Sequence, residues 1–309
     1  MAITAFRGMK PVPQLLFSAF VILACFLVFM VGAMLIAIPF VGLNSILELS
    51  NVSNLSNPES IAFLKYFQTM QAFGLFVVPP LILAYLFQGN IREYLYLKRS
   101  ADPSTLLLVV VLMLAVAPLI NFLGALNSQM SLPDWMSGIE RWMRNSEENA
   151  AMLTEAFLNV ETLWGLAFNL FMIALLPAIG EELLFRGIIQ KIFTRMTHSN
   201  HWGIWISAIL FSAMHMQFFG FVPRMLLGAL FGYLLVWSGS MWFAILGHFI
   251  NNALAVIVLY FAHNGAINPA IEEYGSTSDS YYATLLSLVI TAVLLWQIKK
   301  QNPLHQTAE

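Results

Sequence analysis

Seven stretches of this chain carry no Asp, Glu, Lys or Arg, and they constrain the fold more than any other feature. They cover residues 11–47, 66–91, 103–133, 162–180, 196–223, 225–271 and 280–298. A helix rising 1.5 Å per residue needs about 20 apolar residues to cross a hydrocarbon core about 30 Å thick, so each stretch is a candidate span. The sixth is 47 residues long, with room for two passes around the turn signal Trp237-Ser238-Gly239-Ser240. The expected fold class is therefore all-α, a polytopic membrane helix bundle of about eight transmembrane helices.

Composition agrees. Of 309 residues, 59% are hydrophobic and 10% charged, against roughly 45–50% and about 25% in an average soluble domain. A water-soluble globule does not have this make-up, and a disordered chain lacks such apolar material to bury. The net charge of -2 gives no basic surplus for nucleic acid as a partner. A single cysteine, Cys25, provides neither an internal disulfide nor a cysteine-cluster metal site. The first apolar run is too long for a signal peptide and has no obvious cleavage site after it, so a retained anchor is expected. With no internal repeat and no long linker, one membrane domain over 1–309 is expected.

Eight passes put both termini on one side, and cytoplasmic loops collect Lys and Arg. Arg7, Lys10, Arg92, Lys98, Arg99, Arg186, Lys191, Arg195, Lys299 and Lys300 fall on the side of the termini, ten of the 14 basic residues. Lys65, Arg141, Arg144 and Arg224 are left opposite, together with Glu147, Glu148, Glu155, Glu161, Glu272, Glu273 and Asp279. Cytoplasmic termini are expected. Between the third and fourth spans, Trp135, Met136, Ile139, Trp142 and Met143 form a stripe that predicts an interfacial helix at the headgroup boundary, or else a plain linker helix. The loop 42–60 holds glycosylation-type triplets at Asn51 and Asn54, which matter only in a host that glycosylates.

Ionisable groups are costly inside a bilayer and each needs a partner or a task. Three places hold them. In Pro177-Ala-Ile-Gly-Glu181-Glu182-Leu-Leu-Phe-Arg186-Gly187, the proline cannot donate to the carbonyl four residues back, which frees a backbone acceptor just before the carboxylates. Glu182 and Arg186 stand at i and i+4 in the favourable order for an ion pair, while Glu181 is turned about 100° away. A structural bracket of Glu182 with Arg186 would leave Glu181 to act as a base. Alternatively, all three belong to the cytoplasmic interface, where they reach water.

Phe211 and His215 share a face of the fifth span, and His248 and Asn252 share a face of the seventh. Either pair could simply be hydrogen-bonded helix packing. Glu181 stands at the cytoplasmic end of its span, His248 about two turns into its own and His215 late in one that starts there. A shared cavity would then reach from the cytoplasmic face toward mid-membrane, with the fifth helix starting lower or bending.

Burial disfavours the charged form of a carboxylate and prepares it to act as a general base on water. A histidine beside that water can orient it and later protonate a leaving amine, while an imidazole N–H and an asparagine amide suit a developing oxyanion. Hydrolysis of a peptide bond uses all of these roles. No Ser, Cys or Thr nucleophile has a base at motif-like spacing, and Gly239-Ser-Met-Trp-Phe is not a G-x-S-x-G elbow. Zinc is the nearest competitor, since Glu and two His are acceptable ligands. The helix signature H-E-x-x-H is absent, and Asn252 is a poor zinc ligand, so metal-free, cofactor-free hydrolysis is expected.

At these residues the chain resembles the CAAX protease and bacteriocin-processing (Abi) family, which includes the type II CAAX prenyl endopeptidase. That family's motifs are E-E-x-x-x-R, F-x-x-x-H and H-x-x-x-N in order on successive segments. Here they read Glu181-Glu182-x-x-x-Arg186, Phe211-x-x-x-His215 and His248-x-x-x-Asn252, within a core of about 160–260. The resemblance implies that Glu181 and His215 activate the water, that His248 and Asn252 form the oxyanion hole, and that Glu182, Arg186 and Phe211 support the site. It favours a glutamate protease over a metalloprotease. The run Glu-Glu-Leu-Leu-Phe-Arg-Gly187 looks like the bacterial branch, which implies a bacterial cytoplasmic membrane and a peptide or protein-tail substrate other than a prenylated one. A non-catalytic membrane adaptor or bacteriocin-immunity protein remains the alternative from another class. A transporter is a third, although no duplicated halves support it.

Overall fold

A computed structural model describes residues 6–43, 46, 55, 57–268, 270–271 and 274–302. The triplets at Asn51 and Asn54 and the acids Glu272 and Glu273 lie outside the described residues. Described residues form helices and turns, with no strand. The helices are α1 (Pro11–Val41), α2 (Pro58–Gln88), the short α3 (Ile91–Tyr94), α4 (Pro103–Ser128), α5 (Ser137–Leu158), α6 (Leu163–Thr197), α7 (Asn200–Ala213), α8 (Phe221–Ser238), α9 (Met241–His263) and α10 (Tyr281–Gln301). Among the described residues, seven helices are long and apolar enough to cross a membrane. α1 and α10 turn apolar side chains such as Phe20, Val28, Leu285 and Val289 outward, a surface that suits lipid rather than water. The chain is an integral membrane protein, built as a polytopic helical bundle.

The expected eighth span, over 196–223, is a shorter helix. α7 has 14 residues, about 21 Å at 1.5 Å per residue. After Ala213 the chain turns, with Met216 at φ 55°, and a 3-10 turn at Phe218–Gly220 leads into α8. A stretch free of charge measures apolarity, not helix length, and this one included the turn. The boundary at Trp237-Ser238-Gly239-Ser240 is where expected: α8 stops at Ser238 and Gly239 adopts φ 66°. The interfacial stripe continues further than its sequence signal, since α5 runs to Leu158, where Phe157 and Leu158 are buried. Just before its other end Trp135 is 82% exposed, and Trp142 packs on Phe218 at 5.2 Å.

α6 corrects the expected depth of the site. The charge-free ruler ended at 180, yet the helix continues unbroken for 35 residues to Thr197. Glu181 therefore lies midway along it rather than at its end. Two π turns, Leu170–Leu175 and Phe185–Ile189, flank the carboxylates. Gly180 lets α2 approach closely: a Cβ there would stand 2.8 Å from the Phe76 Cβ.

The two ends of the bundle are distinguishable. At one, Arg195 near the end of α6 donates to the Met9 carbonyl before α1. There too Ser240 donates to the Arg99 carbonyl and Thr105 to Gln301 at the end of α10. At the other, Asn127 of α4 bonds Phe218 and Val222, and Tyr260 of α9 bonds the Glu161 carbonyl. α5 belongs to this second end, where Glu147 accepts from the Phe219 N–H.

Candidate active site

Consecutive positions on an α-helix point about 100° apart, and α6 uses that to give its two glutamates different surroundings. Glu182 is completely buried, and its Oε1 lies 2.8 Å from Arg186 Nη1 and 2.8 Å from His248 Nδ1. The arginine contact is an ion pair rather than an aligned hydrogen bond, since Nη1 makes none. Arg186 Nη2 donates to the Gly228 carbonyl at 2.8 Å, tying α6 to α8. The guanidinium stands over the rings of Phe211 and Phe231, 4.7 and 5.5 Å from their centroids. The same two rings hold His248, Phe231 stacked on it at 5.3 Å and Phe211 edge-on at 5.8 Å. Two aromatic walls, one carboxylate and one arginine thus fix a single imidazole.

Since a carboxylate accepts, His248 donates from Nδ1 to Glu182, and its other nitrogen faces Glu181. Nε2 is 3.9 Å from Glu181 Oε2, beyond direct hydrogen-bond reach. Glu181 remains partly open, at 8% exposure. It lines a cavity of about 520 Å³ together with Phe211, His215, His248 and Asn252. The cavity also reaches Thr154 and Leu158 of α5 and Leu259 near the end of α9. It therefore extends toward the α5 end of the bundle. This departs from the expected approach from the end that carries the termini, because α6 sinks the carboxylates deeper than its apolar stretch suggested.

His215 follows the last turn of α7, and its Nδ1 donates to the Phe211 carbonyl at 2.8 Å, which leaves Nε2 as the free ring nitrogen. Its ring meets Phe211 edge-on at 5.1 Å. Asn252 answers the proline of α6. The Ile173 carbonyl, four residues before Pro177, accepts a hydrogen bond from Asn252 Nδ2 at 3.1 Å, replacing the backbone donor that proline lacks. Asn251 Nδ2 in turn donates to Asn252 Oδ1. One Asn252 amide hydrogen is thereby spent on helix packing, and the second remains for another acceptor.

All seven motif residues thus meet in one region: Glu181, Phe211, His215, His248 and Asn252 on the cavity wall, with Glu182 and Arg186 behind it. Three features of the region escaped the sequence. Phe231 had no motif to mark it. Arg224, assigned to the far side by its position in the chain, lines the same cavity with its Nη2 donating to Gln217 Oε1 at 2.7 Å. The link from Glu182 to His248 joins residues 66 apart in sequence, beyond any helical spacing rule. As for a metal, among the described residues no three His, Cys, Asp or Glu side chains are grouped so as to hold an ion.

Comparison with known proteins falls on this same part of the chain. A protein of Bacillus subtilis (strain 168), "Uncharacterized protein YpbD", is 27% identical over 99 residues, which is 31% of this chain and 48% of that protein. The chain thus spans about half the length of that relative. No solved structure matches. The helices from α6 to most of α9, which supply every motif side chain described above, form the segment that carries a family likeness: residues 163–254 match the Rce1-like family of type II CAAX prenyl endopeptidases.

Proposed function

We propose that the chain is a membrane endopeptidase that hydrolyses a peptide bond with water activated by Glu181. The observation that carries this reading is the division of labour on α6. Glu182 locks the Nδ1 side of His248, and the Glu181 carboxylate faces the cavity onto which His215 and Asn252 also open. A carboxylate inside a cavity walled by apolar helices is a poor anion and a ready proton acceptor.

In the proposed reaction the water oxygen attacks the peptide carbonyl carbon as Glu181 takes one of its protons. The proton reaches the leaving amine through His215 Nε2 as the C–N bond breaks. The oxyanion is met by the free Asn252 amide hydrogen and by His248 Nε2–H. Because Nδ1–H already points at Glu182, His248 donates from Nε2 only as an imidazolium, and the buried Glu182 is its counter-ion. Glu182, Arg186, Phe211 and Phe231 act through His248 by fixing its position.

The substrate is a peptide or protein tail that enters the cavity from its surroundings of lipid or from the α5 end. The cavity falls within the usual range of roughly 300–1,000 Å³ for ligand sites. We read both termini as cytoplasmic from the basic residues at their end, with Arg186 set aside because it is buried inside the bundle, and we read the host membrane as a bacterial one. The catalytic work resides in the core over 160–260, with no metal or other cofactor required.

The test is cleavage of a randomised peptide pool by protein purified into liposomes, read by mass spectrometry, with and without a zinc chelator. Parent activity that resists chelation and is lost in Glu181→Ala, His215→Ala and His248→Ala supports the reading. Equal cleavage by all four proteins overturns it, and loss on chelation assigns the water to zinc. A binding-only role, in which the polar cluster merely locks helices together, predicts that Glu181→Gln keeps its biological effect.

A further inference from the structure

We propose that a second cavity, between α6, α7 and α8 at the end that carries the chain termini, is a binding site for a phosphate-bearing anion. An anionic phospholipid headgroup and free phosphate both present that chemistry. The cavity measures about 420 Å³ and is lined by Gln190, Lys191, Thr194 and Arg195 of α6 and by Asn200, the first residue of α7. Among the described residues, no Asp or Glu lines it. Lys191 donates to the Tyr94 carbonyl and lies 3.9 and 4.2 Å from the ring centroids of Tyr94 and Tyr96. Arg195 donates to Gln14 Oε1 and the Met9 carbonyl. Both cations are therefore held in place by neutral oxygens and rings, which fix their positions without cancelling their charge.

The polar wall completes the case. Thr194, Gln190 and Asn200 bring side-chain donors, and the N-cap residue of α7, Ser199, makes no side-chain cap bond. Unsatisfied amides at a helix start add positive potential on the same side. A basic pocket between spanning helices at a membrane surface rich in Lys and Arg suits a lipid phosphate. Arg186, paired with Glu182, separates this cavity from the one that holds Glu181, and the site does not depend on the peptidase reading.

The experiment compares thermal unfolding of the full chain at low ionic strength in nanodiscs of phosphatidylcholine, in discs containing phosphatidylglycerol, and in phosphatidylcholine discs with added inorganic phosphate. Asn200→Asp places a carboxylate in the cavity at a helix start, where an acid is tolerated. Arg195→Gln removes a cation, and Arg92→Gln makes the same change in net charge outside the cavity on the same end. The parent should unfold roughly 3 °C or more higher with the anion than without it. Asn200→Asp and Arg195→Gln should lose most of that shift, while Arg92→Gln retains it. A shift from phosphatidylglycerol alone identifies a lipid headgroup, and an equal shift from inorganic phosphate identifies the free anion. No shift in the parent, or the same shift in all three variants, or equal loss in all three, overturns the proposal.

Discussion

Glu181 and Glu182 are neighbours in sequence and opposites in setting. Around Glu182 every contact restrains something: an arginine, an imidazole, and through them α8, α9 and two phenylalanine rings. Around Glu181 there is open volume and an imidazole nitrogen just out of reach. The contrast teaches that a buried charge cluster in a membrane bundle can split into a clamp and a working surface along one helix turn. Paired charge gives position, and the adjacent carboxylate, whose nearest charged group is His248 Nε2 at 3.9 Å, inherits that position without a hydrogen bond of its own.

Four variants can break or sharpen this contrast. Glu182→Ala leaves Arg186 buried without its charge partner, an imbalance that costs roughly 3–5 kcal/mol; thermal unfolding should show a large loss, with cleavage lost alongside. Glu181→Gln keeps shape and removes the proposed base. Cleavage should drop about 100- to 10,000-fold while the unfolding midpoint hardly moves. If the two substitutions behaved alike in both assays, the division between clamp and surface would be wrong.

Asn252→Ala tests a residue that belongs to both sides. It orphans the Ile173 carbonyl, so stability should fall by about 0.6–2 kcal/mol, and the proposed oxyanion site loses a donor, so the rate should fall as well. Retention of stability would mean that the carbonyl finds another partner. Phe231→Leu should have the smallest effect, about 0.5–1.5 kcal/mol from the lost ring stacking, and it should lower turnover through a looser His248. A rate unchanged by this substitution would remove Phe231 from the positioning of the imidazole.

Much of the bundle was legible because lipid imposes a simple length rule, and the turn at Gly239 and the start of α4 at Pro103 fall where the charge-free stretches put them. α2 instead begins at Pro58, inside the expected loop 42–60 and ahead of its stretch, because Pro at the first helical position and Asn57 as its cap start the helix earlier. The rule failed where charge and helix part company. α6 continues past Glu181, Glu182 and Arg186 because tertiary partners compensate for them, and α7 stops short although its stretch stays apolar. The gathering of Glu181, His215, His248 and Asn252 was legible as motifs on three segments. Which atoms meet was not. Pro177 announced a freed carbonyl at Ile173, but only folding shows that Asn252 answers it, 79 residues away. Arg224 looked like an outer cation because chain position says nothing about the direction a side chain takes into a cavity.

The central claim, that Glu181 works while Glu182 holds, is tested most directly by measuring peptide cleavage and thermal unfolding on the same liposome preparation of Glu181→Gln. The account predicts a rate at least about 100-fold below the parent with an unfolding midpoint within about 2 °C of it. Cleavage at the parent rate, or a rate and a midpoint that collapse together, would contradict it.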